Sequence, residues 1–409
     1  MIGATGMKVL MINASCGVGS TGRIVADLYA MLRSKGHICK VVYGHGFPKS
    51  VPVEDTFRVI SKWGYYKHNL LSKLTDSAGF FSKRETMKLV DYIKQYNPDI
   101  VHLHNLHGFW INIELLFKCL REIDKPVVWT LHDCWPYTGH CSHYSANKCY
   151  KWIDGCHDCE HLNVYPISYF FDNSRSNYLK KKSIFTSIKK MVLVTPSKWL
   201  ANETKKSFLK IYPVIPISNG IDLKVFVRKT DASRMKFGIP DGKIVLLAVS
   251  FVWNKEKGFD DLLELDRRLD GEKYVLVMVG LDKKQIRSIP NSIIGIERLS
   301  DINELVDLYS VADVFLNPSY QETMGMVTAE AIACGTPAIV YDQTAVPEVM
   351  EDSSGCVVKA GDVEAMINKI DYVLTLSKEH ISQSALRYEK NKQYERYYEL
   401  YQNIVNNEL

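Results

Sequence analysis

The chain has 409 residues, 46% hydrophobic and 24% charged, with 24 Gly and 14 Pro. This length exceeds one ordinary core and predicts two domains. The composition excludes collagen-like, linker-rich and mostly disordered classes. The net charge of +5 conceals a split: residues 1–215 hold 29 Lys and Arg against 16 Asp and Glu, a balance of +13, and residues 216–409 hold 22 against 30, a balance of −8. The two halves are therefore expected to meet different partners, the first of them anionic. No apolar run reaches the roughly 18 residues of a membrane span. Residues 1–6 lack the basic-then-apolar order of a secretory signal, which predicts a cytoplasmic protein. Met7-Lys8 reads as a second start, and residues 1–6 as a leader outside the fold.

In chain order, residues 8–13 form a short apolar run suited to a buried parallel strand. The Gly-rich turn Ser15-Cys-Gly-Val-Gly-Ser-Thr-Gly22 follows, then helical spacing over 23–32, Gly36 as a stop, and a second strand over 38–43. Helices at 86–96 and 114–122 alternate with strands at 99–104 and 127–132, then a strand at 191–195 and a helix at 197–208. The pattern restarts with strands at 243–249, 274–279, 314–316 and 338–341 and helices at 259–269, 301–309, 328–333 and 362–375. Such alternation predicts α/β architecture with parallel sheets: two doubly wound, Rossmann-like domains facing a cleft. Tyr212-Pro-Val-Ile-Pro216 reads as the connector, because two prolines punctuate it. The expected domains are 1–215, with a Cys-rich insertion at 134–165, then 216–387, and a terminal helical stretch 388–409 that bridges back to the first.

Several residue groups carry chemistry. Gly17, Gly19 and Gly22 precede a helix that starts with Arg23, an arrangement that serves equally as a tight turn or as a phosphate cradle. His132 ends a strand and is followed by Asp133, while His102, His104 and His107 lie on and beyond the neighbouring strand, His102 and His104 reading mainly as supporting residues. Lys257 follows the first strand of the second half. Cys141, Cys149, Cys156 and Cys159 lie in an irregular stretch that needs a staple, and four thiolates can enclose zinc tetrahedrally. His140, His143, His157 and His161 are alternate ligands, and free thiols in a packed loop are the other reading. Glu322 and Glu330 flank Gly325, which opens a helix; backbone amides at such a helix start suit an anion, and the carboxylates suit hydroxyl groups.

The Glu322-x7-Glu330 pattern resembles the signature of retaining glycosyltransferases of family 4, whose fold is GT-B. The resemblance extends through Gly335-Thr-Pro337 and Val346-Pro347-Glu348, and in the other half through Asp99-Ile-Val-His-Leu-His-Asn105, Thr130-Leu-His-Asp133 and Asn219-Gly-Ile-Asp222. It implies that Glu322 contacts the donor sugar, that Gly325 and Met326 offer N–H groups to the diphosphate, and that Glu330 binds the ribose. It also implies that Lys257, with Gly19 and Arg23, meets the donor phosphates and that His132 lies near the donor sugar. Relatives carry an Arg just upstream of that Lys; here Ser250-Phe-Val-Trp-Asn-Lys-Glu-Lys257 has none, and a Lys255 point charge does not replace a bidentate fork.

The implied function is transfer of a sugar, with retention, from a nucleotide-diphosphate sugar (UDP-sugars by default) to a glycan or lipid-linked acceptor in surface-polysaccharide biosynthesis. No catalytic metal is expected, and zinc enters only as a structural staple. Trp63-Gly-Tyr-Tyr-Lys-His68, Phe80-Phe-Ser-Lys-Arg84 and Lys180-Lys-Lys-Ser-Ile-Phe185 mix aromatic and basic residues. They suit peripheral contact with an anionic membrane at its inner face; no nucleic-acid partner is expected. The alternatives are another GT-B sugar-nucleotide enzyme, an epimerase or a phosphorylase, or a non-enzymatic zinc-stabilised binding protein.

Overall fold

A computed structural model of the chain describes residues 6–406. The expected leader lies outside these residues except for Gly6. Seven strands form the first sheet: β1 (Lys8–Asn13), β2 (Ile38–Tyr43), β3 (Thr56–Arg58), β4 (Ile100–Leu103), β5 (Val127–Thr130), β6 (Met191–Thr195) and β7 (Val214–Pro216). Their order is β3-β2-β1-β4-β5-β6-β7, and every pairing is parallel. Six strands form the second sheet: β8 (Ile244–Val249), β9 (Tyr274–Leu281), β10 (Ile293–Glu297), β11 (Val314–Asn317), β12 (Ala338–Tyr341) and β13 (Gly355–Val358). Their order is β10-β9-β8-β11-β12-β13, again all parallel. The architecture is α/β of GT-B type, with two doubly wound sheets.

The central strands are apolar throughout because both faces are covered. In β1, Val9, Leu10, Met11 and Ile12 are fully buried, with alternate residues feeding two separate cores. The second sheet divides Leu246 and Ala248 from Val245 and Leu247 in the same way.

The chain separates into two compact units, Met1–Ser218 with Tyr394–Leu409, and Asn219–Gln393. The last helix, Lys390–Val405, contributes Tyr394, Tyr397, Leu400 and Tyr401 to a core of the first unit. The proline-bracketed stretch read as the connector ends in β7, an edge strand paired to β6, just before the opening segment of the first unit closes at Ser218. An edge tolerates Pro216, which has no N–H to give. The helix expected over 362–375 is two short ones, Val363–Asn368 and Ile370–Val373, interrupted at Lys369.

Candidate active site

In an open parallel sheet the strand order reverses at one point, and the crevice beyond the carboxyl ends of the two strands there is where ligands bind. That point lies between β1 and β4 in the first unit, and between β8 and β11 in the second. Gly19 and Arg23 follow β1, Lys257 follows β8, and Glu322, Gly325, Met326 and Glu330 follow β11; His132 lies beyond β5, the next strand out, and Cys141, Cys149, Cys156 and Cys159 in the loop after it.

In the first unit, β1 ends at Asn13, which is buried. Its Nδ2 donates to Ser15 O at 2.8 Å, and its Oδ1 accepts from Asn105 N at 3.1 Å. One side chain thus ties the exit of β1 to the exit of β4. The sequence signal for it is a polar residue closing an apolar strand. The helix Gly19–Ser34 begins inside the Gly-rich turn, with Val18 as an N-cap that supplies no side-chain bond. Its first amides therefore leave the helix unpaired by any cap. Gly19 is the first helical residue, and Arg23 follows one turn later with an exposed side chain. Gly17 has φ +66°, and a Cβ there would stand 1.9 Å from Lys49 O, so no other residue fits.

Beside this turn lies a histidine column. His132 Nε2 meets His104 Nδ1 at 3.0 Å, and the rings of His104 and His102 are 4.1 Å apart. His102 bonds Thr130 Oγ1 at 2.8 Å through Nε2 and the Tyr401 hydroxyl at 2.6 Å through Nδ1. Burial lowers the pKa of His132 to about 4 and of His102 to about 3, and it holds His104 well below the usual imidazole range. All three are neutral imidazoles at pH 7. His104 Nε2 is buried without a partner. An orphaned N–H is rarer in proteins than an orphaned acceptor, which puts the His104 proton on Nδ1, donated to His132 Nε2. His132 then carries its own proton on Nδ1 and presents a donor.

Next to it, His107 Nε2 bonds Asp133 Oδ2 at 2.6 Å. Burial works to raise the Asp133 pKa, but His107 and the Trp135 amide outweigh it and hold the carboxyl well below its usual range.

In the second unit, the loop after β8 makes one tight turn, Lys255–Lys257, capped by Asn254 Oδ1 accepting from Lys257 N at 3.0 Å. Lys257 Nζ donates to Glu322 Oε1 at 2.6 Å and to Gln321 O at 3.1 Å. Tyr320 N donates to Glu256 O at 2.9 Å, so the loops beyond β8 and β11 are pinned together. Glu322 N donates to Thr344 Oγ1 at 2.8 Å, which adds the loop after β12. Thr344 and Tyr309 are site residues that motif reading missed, since each acts only through the fold.

Gly325, at φ +86°, is the N-cap of helix Met326–Ala333 and gives no side-chain cap. The left-handed φ requires glycine, and it lets the backbone turn from the Glu322 loop into the helix. Met326 is the first helical residue, and Thr328 is held from below by Asn317 Nδ2 at 2.8 Å. Glu330 Oε2 accepts from the fully buried Tyr309 hydroxyl at 3.1 Å, so its carboxylate is oriented. Where the expected Arg is lacking, Arg298 comes from beyond β10 and stacks on Phe251, 3.6 Å from the ring centroid.

The four loop cysteines are free thiols. Burial raises the Cys141 thiol most, and Cys156, Cys159 and Cys149 raise it further, so the four lie within electrostatic reach. Cys156 Sγ accepts from Gly139 N at 3.1 Å. His140 is removed from the ligand pool, because Asp76 and Val164 O take both its nitrogens. Among the described residues, no group of three or more His, Cys, Asp or Glu stands where it could hold a metal ion. Lys181, expected in a surface patch, is fully buried beside this loop. Its Nζ donates to Trp135 O at 2.9 Å and Thr138 O at 3.2 Å and lies 3.5 Å from the Trp135 ring centroid.

Residues 21–225 match the family described as Glycosyltransferase Family 4, and residues 229–394 match Glycosyl transferases group 1. The chain belongs to glycosyltransferase family 4. WcaC of Escherichia coli (strain K12), named for a glycosyl transferase role in colanic acid biosynthesis, is 23% identical over 97% of this chain and 100% of its own length. Two solved structures share the fold at low identity. Sucrose-phosphate synthase from Thermosynechococcus elongatus has a TM-score of 0.68 at 16% identity, covering 97% of this chain and 99% of its own. Anabaena HepE, solved with UDP-glucose, has a TM-score of 0.66 at 14% identity, covering 96% and 99%. As a family 4 glycosyltransferase the chain transfers glycosyl groups, and no helix among its described residues is long and apolar enough to cross a membrane.

Proposed function

We propose that this family 4 glycosyltransferase moves a sugar, with retention of anomeric configuration, from a nucleotide-diphosphate sugar to a hydroxyl of a glycan or lipid-linked saccharide during surface-polysaccharide biosynthesis. One observation carries the reading: Lys257, Glu322 and the uncapped helix start at Gly325 lie together at the switch point of the second sheet. A cation and backbone N–H groups suit a diphosphate, and the adjacent carboxylates suit hydroxyl groups. Glu322 binds the donor sugar, Gly325 and Met326 the diphosphate, and Glu330 the ribose. When the donor arrives, Lys257 exchanges Glu322 for phosphate oxygens and stabilises the leaving diphosphate. In the first unit, Gly19 and Arg23 are the proposed phosphate donors, and His132 donates from Nδ1 to a sugar hydroxyl.

Residues 1–215 serve the acceptor and 216–387 the donor, with 388–409 returning to the first domain. A UDP-sugar is the proposed donor; HepE, of the same fold, was solved with UDP-glucose. No divalent metal takes part in this reading, and the departing phosphate oxygen takes the acceptor proton. The enzyme works in the cytoplasm, at the inner face of the membrane where a lipid-linked acceptor lies. Cys141, Cys149, Cys156 and Cys159 close on one structural zinc ion once their sulfurs draw together. The four-thiol set and the Gly139 amide on Cys156 support this.

The test is a panel of nucleotide sugars, with and without saccharide acceptors and with chelator, read as nucleoside diphosphate released and as the anomeric configuration of the product by NMR. Acceptor-dependent release with a retained anomer, unaffected by chelator, is expected. Inversion, release only with phosphate, or epimerised donor overturns the reading.

A further inference from the structure

The helix Lys62–Thr75 packs Tyr65 against the core but turns a second apolar stripe outward. His68 and Ser72 are its buried residues, while Trp63, Tyr66 and Leu70 face water, Trp63 at 85% and Tyr66 at 62% exposure. These three run along one face at i, i+3 and i+7. Lys62 and Lys67 share that exposed side, and the helix contains no Asp or Glu.

The stripe leads to a second apolar feature. Tyr169, Phe170 and Phe171 are three consecutive exposed aromatics, Phe170 at 72% and Phe171 at 59%. They are held rigidly at the carboxyl end of the helix. Tyr169 N donates to Lys73 O at 2.8 Å, Ser168 Oγ to Phe171 O at 2.8 Å, and Asn173 Nδ2 to Thr75 O at 2.6 Å. Lys73 Nζ sits 5.7 Å from the Tyr169 ring centroid. Lys180 and Lys182 are exposed on the helix Ser174–Phe185 that follows. Of the nearby carboxylates, Asp172 is engaged by the Cys159 and Ser174 amides, and Asp76 is buried against His140 and Asn173.

A rigidly presented set of large apolar groups is costly in water and marks a contact surface. Aromatic tips mixed with lysines complement an anionic bilayer, where rings enter the headgroup layer and ammonium groups meet lipid phosphates; of the exposed acids nearby, Asp158 is engaged by His157, Glu160 by Lys151 and Asp172 by two amides. We propose that the outward face of Lys62–Thr75 and the Tyr169–Phe171 tip are the surface by which this enzyme docks on an anionic membrane. The proposal rests on the membrane-side reading above and locates it. Lys181 has no part in it, being buried.

The experiment is flotation of the full chain with phosphatidylcholine vesicles and with vesicles also containing phosphatidylglycerol, at low and high salt. Wild type is expected to float with the anionic vesicles, less so at high salt. F170S/F171S is expected to bind them at least about tenfold more weakly, and K62E/K67E to lose the preference for anionic over neutral vesicles. All these side chains are exposed, and circular dichroism with donor turnover to nucleoside diphosphate verifies fold and donor site separately. Failure of wild type to float, or equal flotation by both variants, overturns the proposal and leaves the donor-site reading untouched. Dimerisation abolished by F170S/F171S, without flotation, assigns the face to a second copy and equally overturns it.

Discussion

Lys257 and Glu322 form an ion pair at the proposed donor site. Their side chains are partly exposed, 28% and 23%, so the 2.6 Å pair adds little to stability. Its value in the proposed reading is geometric: with Gln321 O it fixes the ammonium beside the Glu322 loop, where the phosphates are proposed to bind. Lys257→Met is expected to lower kcat/KM by about 100-fold with an unchanged melting temperature, checked by steady-state kinetics and thermal melts. The histidine column behaves differently. His102, His104 and His132 have lowered pKa values in the fold and ordinary values near 6.5 when unfolded. The unfolded chain therefore binds more protons between pH 6.5 and about 4, and stability falls as pH drops through that window. Thermal melts from pH 7.5 to 5 should descend, and less steeply in His104→Phe. Nitrogen-15 spectra of histidine-labelled protein should show His132 protonated at Nδ1, and His104→Phe should release that preference. These roles were legible in the sequence only as positions: Glu330 is visible as a motif, whereas the Tyr309 hydroxyl that aims it arrives from another helix.

At the scale of elements, apolar runs revealed the central strands because both faces of a parallel sheet are buried. The helix Lys62–Thr75 escaped notice because it carries apolar residues on both sides: Trp63, Tyr66 and Leu70 face outward while Tyr65 packs against the core and Leu71 and Leu74 are half-buried, which blurs the usual amphipathic signal. The strand β7 hid behind prolines that only an edge position permits. The Gly-rich turn was visible as composition, but the steric reason for Gly17 lies in Lys49, 32 residues away in the sequence. Gly17→Ala should distort the turn and raise the donor KM severalfold, with a smaller effect on kcat, read by donor titration in initial-rate assays. The Cys-rich loop carries its own test. Metal analysis of the purified chain should find about one zinc, and Cys156→Ser should lose it and lower the melting temperature. A metal-free and fully folded preparation rejects the site.

For the whole molecule, the charge split acquires a spatial content. The basic half holds the exposed lysines and rings of the proposed membrane face, and the acidic half holds the two glutamates of the proposed donor site. Both sheets reverse their strand order where the predicted residues cluster, which is why motifs distant in sequence converge within each unit. The sequence could name the family because its landmarks sit at these strand ends, where chemistry restricts residue choice more tightly than packing does. It could not tell which loops would be pinned to one another, since bonds such as Glu322 N to Thr344 Oγ1 and Tyr320 N to Glu256 O join partners that only the fold brings together. The central claim is that the second unit binds a nucleotide-sugar donor through Glu330 and the helix start beside it. Calorimetric titration of UDP and UDP-sugars into wild type and Glu330→Ala tests it directly. The account predicts binding to wild type and an affinity at least about tenfold lower in the variant, with equal melting temperatures for the free proteins. Equal affinity in the two would contradict it.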